Sequence, residues 1–142
     1  MILPIGFQWP GEGVFMARIL IVDDDQDMAQ STQRVLVRNG YEVVAFYEAR
    51  KGIEEAKRQK PDLIIMDMMM PQVSGAQAVK EIKNNPDLAQ IPIIILTGLL
   101  SPQEYLDMTR IAIDGKTYKT LCKPYKIKEL IKLVGESLRW AR

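Results

Sequence analysis

The chain has 142 residues, 47% of them hydrophobic and 26% charged, with a net charge of +1. That is enough for one domain with a full core, and it provides no global field favouring nucleic acid. The single cysteine, Cys122, excludes an internal disulfide and fits a reducing, cytoplasmic setting, and no apolar stretch approaches the about 18 residues of a membrane span. The absence of histidine removes His-based metal sites, Ser/His and Cys/His catalysis, and any phosphohistidine on this chain.

Residues 1–15 (MILPIGFQWPGEGVF) carry two prolines and three glycines and lack the basic start and long apolar core of a secretory signal. They read as an N-terminal extension, either a cloning scar or the product of a start codon placed too early, ahead of a domain over 16–142. Ile19-Leu20-Ile21-Val22 reads as a buried strand, being β-branched, continuous and too short for a helix. Met28, Thr32, Val35 and Leu36 fall at helical spacing over 27–39, with Gly40 as the stop. A strand over 41–46 and a polar helix over 48–59, burying Ala49, Ile53 and Ala56, come next. Leu63–Met66 is the third strand, and the helix over 74–84 buries Ala78, Val79 and Ile82. Ile91–Leu96 is the fourth strand, with Pro92 near its start, where a missing donor is tolerated. Ser101-Pro102-Gln103-Glu104 has the form of a capping box, predicting a helix to about Ile113. Tyr118–Cys122 is the last strand, and Ile127, Leu130, Ile131, Val134 and Leu138 predict a closing amphipathic helix.

Five strands alternating with five helices predict an α/β fold, a doubly wound parallel sheet with helices on both faces. Ligands bind such sheets beyond the carboxyl ends of the strands. The residues at those ends are Asp23 and Asp24, Asp67, Thr97 and Lys123, all on one rim. Carboxylates gathered out of water raise one another's pKa or recruit a cation. Two or three of them suit a hard divalent ion, Mg²⁺ or alternatively Mn²⁺. Lys123 and the Thr97 hydroxyl suit phosphate oxygens, Gly98 leaves room beside them, and Asp67 is then placed to attack phosphorus in line. Each residue also has a plainer reading. Asp23–Asp25 could be a helix-capping turn, Met66 and Met68–Met70 are core or gap filling, and Lys123 alone would be solvated.

The segments ILIVDDD (19–25), PDLIIMDMMMPQVSG (61–75), IPIIILTG (91–98) and LCKPY (121–125) together resemble the response-regulator receiver domains of two-component signalling, over residues 17–140. The resemblance implies a flavodoxin-like, five-stranded sheet of order 2-1-3-4-5. It implies that Asp67 accepts a phosphoryl group from a histidine kinase or a His-containing phosphotransfer protein. It also implies that Asp24, Asp67 and the Met69 carbonyl hold Mg²⁺ directly, with Asp23 acting mainly through water. Thr97 and Lys123 would grip the phosphoryl oxygens, and Lys123-Pro124 would be a cis peptide. The expected role is a stand-alone switch, not an enzyme, that signals in a phosphorelay by binding an unidentified downstream protein, without direct contact with nucleic acid or membrane.

Four departures from the family pattern stand out. The position of the usual switch aromatic, partner of Thr97, is Thr120, with Tyr118 two residues earlier as a substitute. The stretch from Thr97 to Lys123 is longer than usual by roughly four residues. Lys126 replaces a common acidic cap and, with Lys119, Lys128 and Lys132, makes that side basic, most simply a solvated face. Met69 and Leu99 are apolar where polar groups help place an attacking water, which predicts slow self-dephosphorylation. The rival readings are a phosphorylation-independent adaptor, which the atypical Thr120 favours, and an aspartyl-intermediate phosphohydrolase, which Met69 opposes.

Overall fold

Short β-branched runs alternate with amphipathic segments, and the chain folds accordingly. A computed structural model describes residues 17–98 and 110–141. The 1–15 extension, Leu99 and most of the helix expected from 101 onward lie outside the described residues. The elements are β1 (Arg18–Val22), α1 (Gln26–Arg38), β2 (Glu42–Phe46), α2 (Ala49–Gln59), β3 (Leu63–Asp67), α3 (Gly75–Asn84), β4 (Ile93–Thr97), β5 (Arg110–Ile113), β6 (Lys116–Cys122) and α4 (Ile127–Ala141). The sheet order is β2-β1-β3-β4-β6-β5. Its first five members run parallel in the expected doubly wound, flavodoxin-like arrangement, with β6 in the fifth place.

One expectation fails at residues 110–113, which form a strand antiparallel to β6 instead of the end of a helix. The cause is local. Asp114 and Gly115 both adopt positive φ (52° and 80°), and Ile113 faces Lys116 across them. This is the two-residue hairpin turn that Asp-Gly favours between β-prone runs. The hairpin also lengthens the last parallel strand backwards from Tyr118 to Lys116.

Period-two alternation divides the sheet's side chains between two cores. Leu20, Val22, Ile64, Met66, Ile93 and Ile95 pack under α2 and α3, with Tyr118 and Ile113 at one end. Ile19, Ile21, Leu63, Ile65, Ile94, Leu96 and Leu121 pack under α1 and α4. Ile127, expected on the buried face of the last helix, is instead exposed at its first turn.

Strand register then determines which residues share the rim. Val22 lies beside Met66, Asp67 beside Leu96, and Thr97 beside Cys122. Asp23, Asp67, Thr97 and Lys123 therefore emerge at nearly one level. Gly75, the first residue of α3, lets that helix sit against the end of β3. A Cβ there would lie 2.2 Å from the Asp67 carbonyl oxygen and 2.7 Å from Met68 Cα. Both are backbone atoms that cannot swing away.

Gly75→Ala should lower the unfolding free energy by about 2–3 kcal/mol in urea titrations, since it forces backbone apart at the site. Gly135→Ala, at a helical position in α4 where no described residue beyond the helix's own backbone lies within 4 Å of the new methyl group, should be neutral or stabilising by up to about 1 kcal/mol. Equal effects at both positions would show that the close approach at Gly75 is not a constraint.

Candidate phosphoryl and metal site

Asp23 and Asp67 follow Ile21 and Ile65 on their strands, and Lys123 follows Leu121, so alternation directs all three towards the α1–α4 side of the sheet. Asp23 is fully buried. Its Oδ2 lies 2.7 Å from the Lys123 ammonium and has no hydrogen-bond partner beyond that ion pair among the described residues. Its Oδ1 accepts the Asp25 backbone N–H at 3.0 Å. Asp25 in turn caps α1, its side chain accepting from Met28 N–H at 3.1 Å. The capping role that Asp23–Asp25 could have had thus falls to Asp25, which leaves Asp23 and Asp24 for the rim.

Asp67 is 4% exposed and lies 3.6 Å from the Lys123 ammonium. Burial, then the Asp23 charge beside it, pushes the Asp67 carboxyl up to about 7, against a smaller opposing pull from Lys123. For Lys123, burial opposes the charge. Its pairing with Asp23 and the fields of Asp67 and Asp25 outweigh that penalty and raise its pKa above 10.5. The Lys123 backbone N–H donates to the Thr97 carbonyl at 2.7 Å, and the Lys123–Pro124 peptide is cis.

Carboxylate oxygens of Asp23, Asp24 and Asp67 all lie within 4.8 Å of one another. Two ligands on opposite sides of a Mg²⁺ ion are separated by about 4 Å, so small side-chain movements would bring these oxygens onto one ion. Hard oxygen donors, an excess of negative charge and a buried Oδ2 short of partners all fit such a cation. Met69 N–H points at Asp67 Oδ1 at 3.4 Å, and its side chain is exposed.

Thr97 is buried, but it follows Ile93 and Ile95 onto the opposite side of the sheet from Lys123. It shares the rim, and among the described residues its hydroxyl makes no hydrogen bond to the three carboxylates. Among the described residues, a Cβ at Gly98 would meet only Lys123 Cβ, at 3.9 Å. Thr120 is buried on the same face as Thr97, level with Ile95, and its hydroxyl donates to the Tyr118 carbonyl. Tyr118 is packed in the α2–α3 core and sits two residues, about 7 Å, further down the strand.

Residues 19–135 match the family of response regulator receiver domains. The chain belongs to that family. It is 36% identical to chemotaxis protein CheY of Bacillus subtilis over 124 residues, covering 85% of this chain and 97% of that one. It is 32% identical to response regulator MprA of Mycolicibacterium vanbaalenii over 123 residues, 86% of this chain but only 50% of that protein. The chain thus spans about half the length of its MprA relatives. Among solved structures, Vibrio cholerae CheY4 superposes with a TM-score of 0.76 at 28% identity, over 87% of this chain and all of that one. The receiver domain of a Syntrophus aciditrophicus signal transduction histidine kinase gives 0.74 at 29% identity, over 87% and 91%. No described helix is long and apolar enough to cross a membrane.

Asp25, read in the sequence as part of a capping turn, also links that cap to the acidic cluster. Tyr125, which hydrogen-bonds Thr32 on α1, has no counterpart in the sequence reading. The available signal was Thr32 itself, a hydroxyl on the otherwise apolar buried face of α1.

An acid whose folded pKa lies above its unfolded value weakens the fold as pH rises between the two. For Asp67 that window runs from 3.8 to about 7. In metal-free buffer the Tm of the wild-type protein should fall relative to Asp67→Asn across this window and run parallel to it above. Millimolar Mg²⁺ should recover more stability at pH 8 than at pH 5. A constant difference between the two proteins from pH 4 to 8 would contradict the raised carboxyl.

Proposed function

We propose that this receiver domain takes a phosphoryl group onto Asp67 from a phosphohistidine on a partner kinase or phosphotransfer protein, and signals through the partners its altered surface then binds. The observation that carries this reading is the convergence of Asp23, Asp24, Asp67 and Lys123 on one rim. An ionised Asp67 oxygen attacks phosphorus, the P–N bond breaks, and the departing imidazole nitrogen keeps the electron pair and takes up a proton. Lys123 meets the negative charge of the arriving oxygens, and the Thr97 hydroxyl is the candidate donor to another. Asp24, Asp67 and the Met69 carbonyl would hold Mg²⁺, or Mn²⁺ in its place, with Asp23 acting through water. When bound, that ion offsets the repulsion between carboxylates and phosphoryl group.

Similarity to nearly the whole of CheY supports a single-domain regulator working in the cytoplasm, without direct contact with nucleic acid or membrane. The same reading makes the domain a switch instead of a turnover enzyme. Apolar Met69, two residues beyond Asp67, leaves no polar side chain there to orient a water, which supports a long-lived aspartyl phosphate. Thr120 in place of an aromatic supports a modified Thr97 switch, and the remote, core-packed Tyr118 is a poor substitute for it.

Incubation with acetyl phosphate and Mg²⁺ should add one phosphoryl group by intact mass, and Asp67→Asn should abolish the addition. The modified protein should persist for minutes or longer after donor removal. An unmodified wild-type protein, or modification that survives Asp67→Asn, would reject the reading.

A further inference from the structure

We propose that Tyr125 is a positioning residue that holds Lys123 on its carboxylates by anchoring the Lys123–Tyr125 segment to Thr32 of α1. The proposal rests on the phosphoryl-acceptor reading for its effect on rate, and on geometry alone for the position of Lys123.

Lys123 must place one flexible four-carbon side chain between Asp23 at 2.7 Å and Asp67 at 3.6 Å. On its amino-terminal side the backbone is fastened, with Lys123 N–H on the Thr97 carbonyl. On its carboxyl-terminal side Pro124 has no N–H to donate. The next fixed point is the Tyr125 side chain, packed into the α1–α4 core with its hydroxyl against that of Thr32. Thr32 Oγ1 already gives its proton to the Met28 carbonyl at 2.9 Å. The Tyr125 hydroxyl is therefore the donor in the second bond. Burial, and then the Asp23 charge, pushes that hydroxyl up to about 12, so it keeps its proton at any physiological pH.

The anchor lies on a helix that also sets the other half of the ion pair. Asp25, the residue preceding α1, orients Asp23 through its N–H and caps the helix through Met28. Met28 is thus held at its N–H by Asp25 and at its carbonyl by Thr32. Asp23 and Lys123, roughly a hundred positions apart in the chain, are both referenced to one turn of α1. Thr32 is 1% exposed, so its hydroxyl has no solvent to fall back on. A buried threonine donating to its own helix and accepting from Tyr125 is costly as a mere core residue, since valine would fill the same space.

The test uses Tyr125→Phe and Thr32→Val, each of which removes the bond while nearly keeping volume. Thr32→Ser serves as the rescue that restores the hydroxyl. With acetyl phosphate and saturating Mg²⁺, both removals should slow phosphorylation by about 3- to 10-fold. The double variant should be no slower than either single one, Thr32→Ser should approach wild type, and Mg²⁺ affinity should stay constant. Independently of phosphorylation, the ¹⁵N-detected Lys123 ammonium should exchange faster with solvent in both removal variants. Wild-type exchange in those variants, or additive losses in the double one, would overturn the proposal. Faster ammonium exchange in a protein whose wild type takes no phosphoryl group would uphold the anchor and reject the acceptor role of Asp67.

Discussion

A fully enclosed carboxylate keeps its charge only if a cation is brought to it, and in this domain Lys123 is brought to Asp23. Most of the rim follows from that pairing. Its ammonium is shared unequally with Asp67, which lies farther away and is left with its ionised form penalised by burial and by Asp23. One positive charge against three carboxylates leaves the cluster short of positive charge. Replacing such a pair by apolar residues is often neutral or stabilising for a fold. Its presence here is better understood as a standing demand for further positive charge, such as a divalent ion would supply, than as a contribution to stability.

Topology satisfies that demand cheaply. Parallel strands end at one level because the register runs unbroken from β1 through β3 and β4 to β6. Alternation then selects which strand-end residues face one another, and it places Asp23, Asp67 and Lys123 together while sending Thr97 to the other side of the sheet. Gly75 allows α3 to lie directly on the Asp67 backbone. The backbone just after Asp67 is thereby held on two sides, by β4 through Met68 N–H to the Leu96 carbonyl and by α3 through Gly75 N–H to the Met68 carbonyl.

Most of this was legible in the residues because the rules involved are local. Continuous runs such as Ile19–Val22 and Leu63–Met66 suit strands buried on both faces, as in a parallel sheet, and the acidic residues directly after them then lie at its carboxyl edge. Residues 110–113 depart from the expected helix because a capping box at 101–104 signals a start but nothing nearby marks an end, whereas Asp114-Gly115 is a hairpin turn that pairs 110–113 with β6. The extra strand bears on Thr120 only through packing: it covers the end of β6 that carries Tyr118 and so holds that ring in the α2–α3 core. Side-chain networks such as Asp25–Met28–Thr32–Tyr125 depend on which helix packs over which strand, and no spacing rule reports that.

Paramagnetic Mn²⁺ gives the most direct measure of the central claim, that residues from 23 to 123 surround one cation site. Titrated into ¹⁵N-labelled protein at substoichiometric levels, it should broaden the backbone amide signals of 23–25, 67–69, 97–98 and 123 together, with one shared affinity, and Mg²⁺ should reverse the effect. Broadening confined to 23–25, or separate affinities for the separate segments, would mean that these groups do not form a single site.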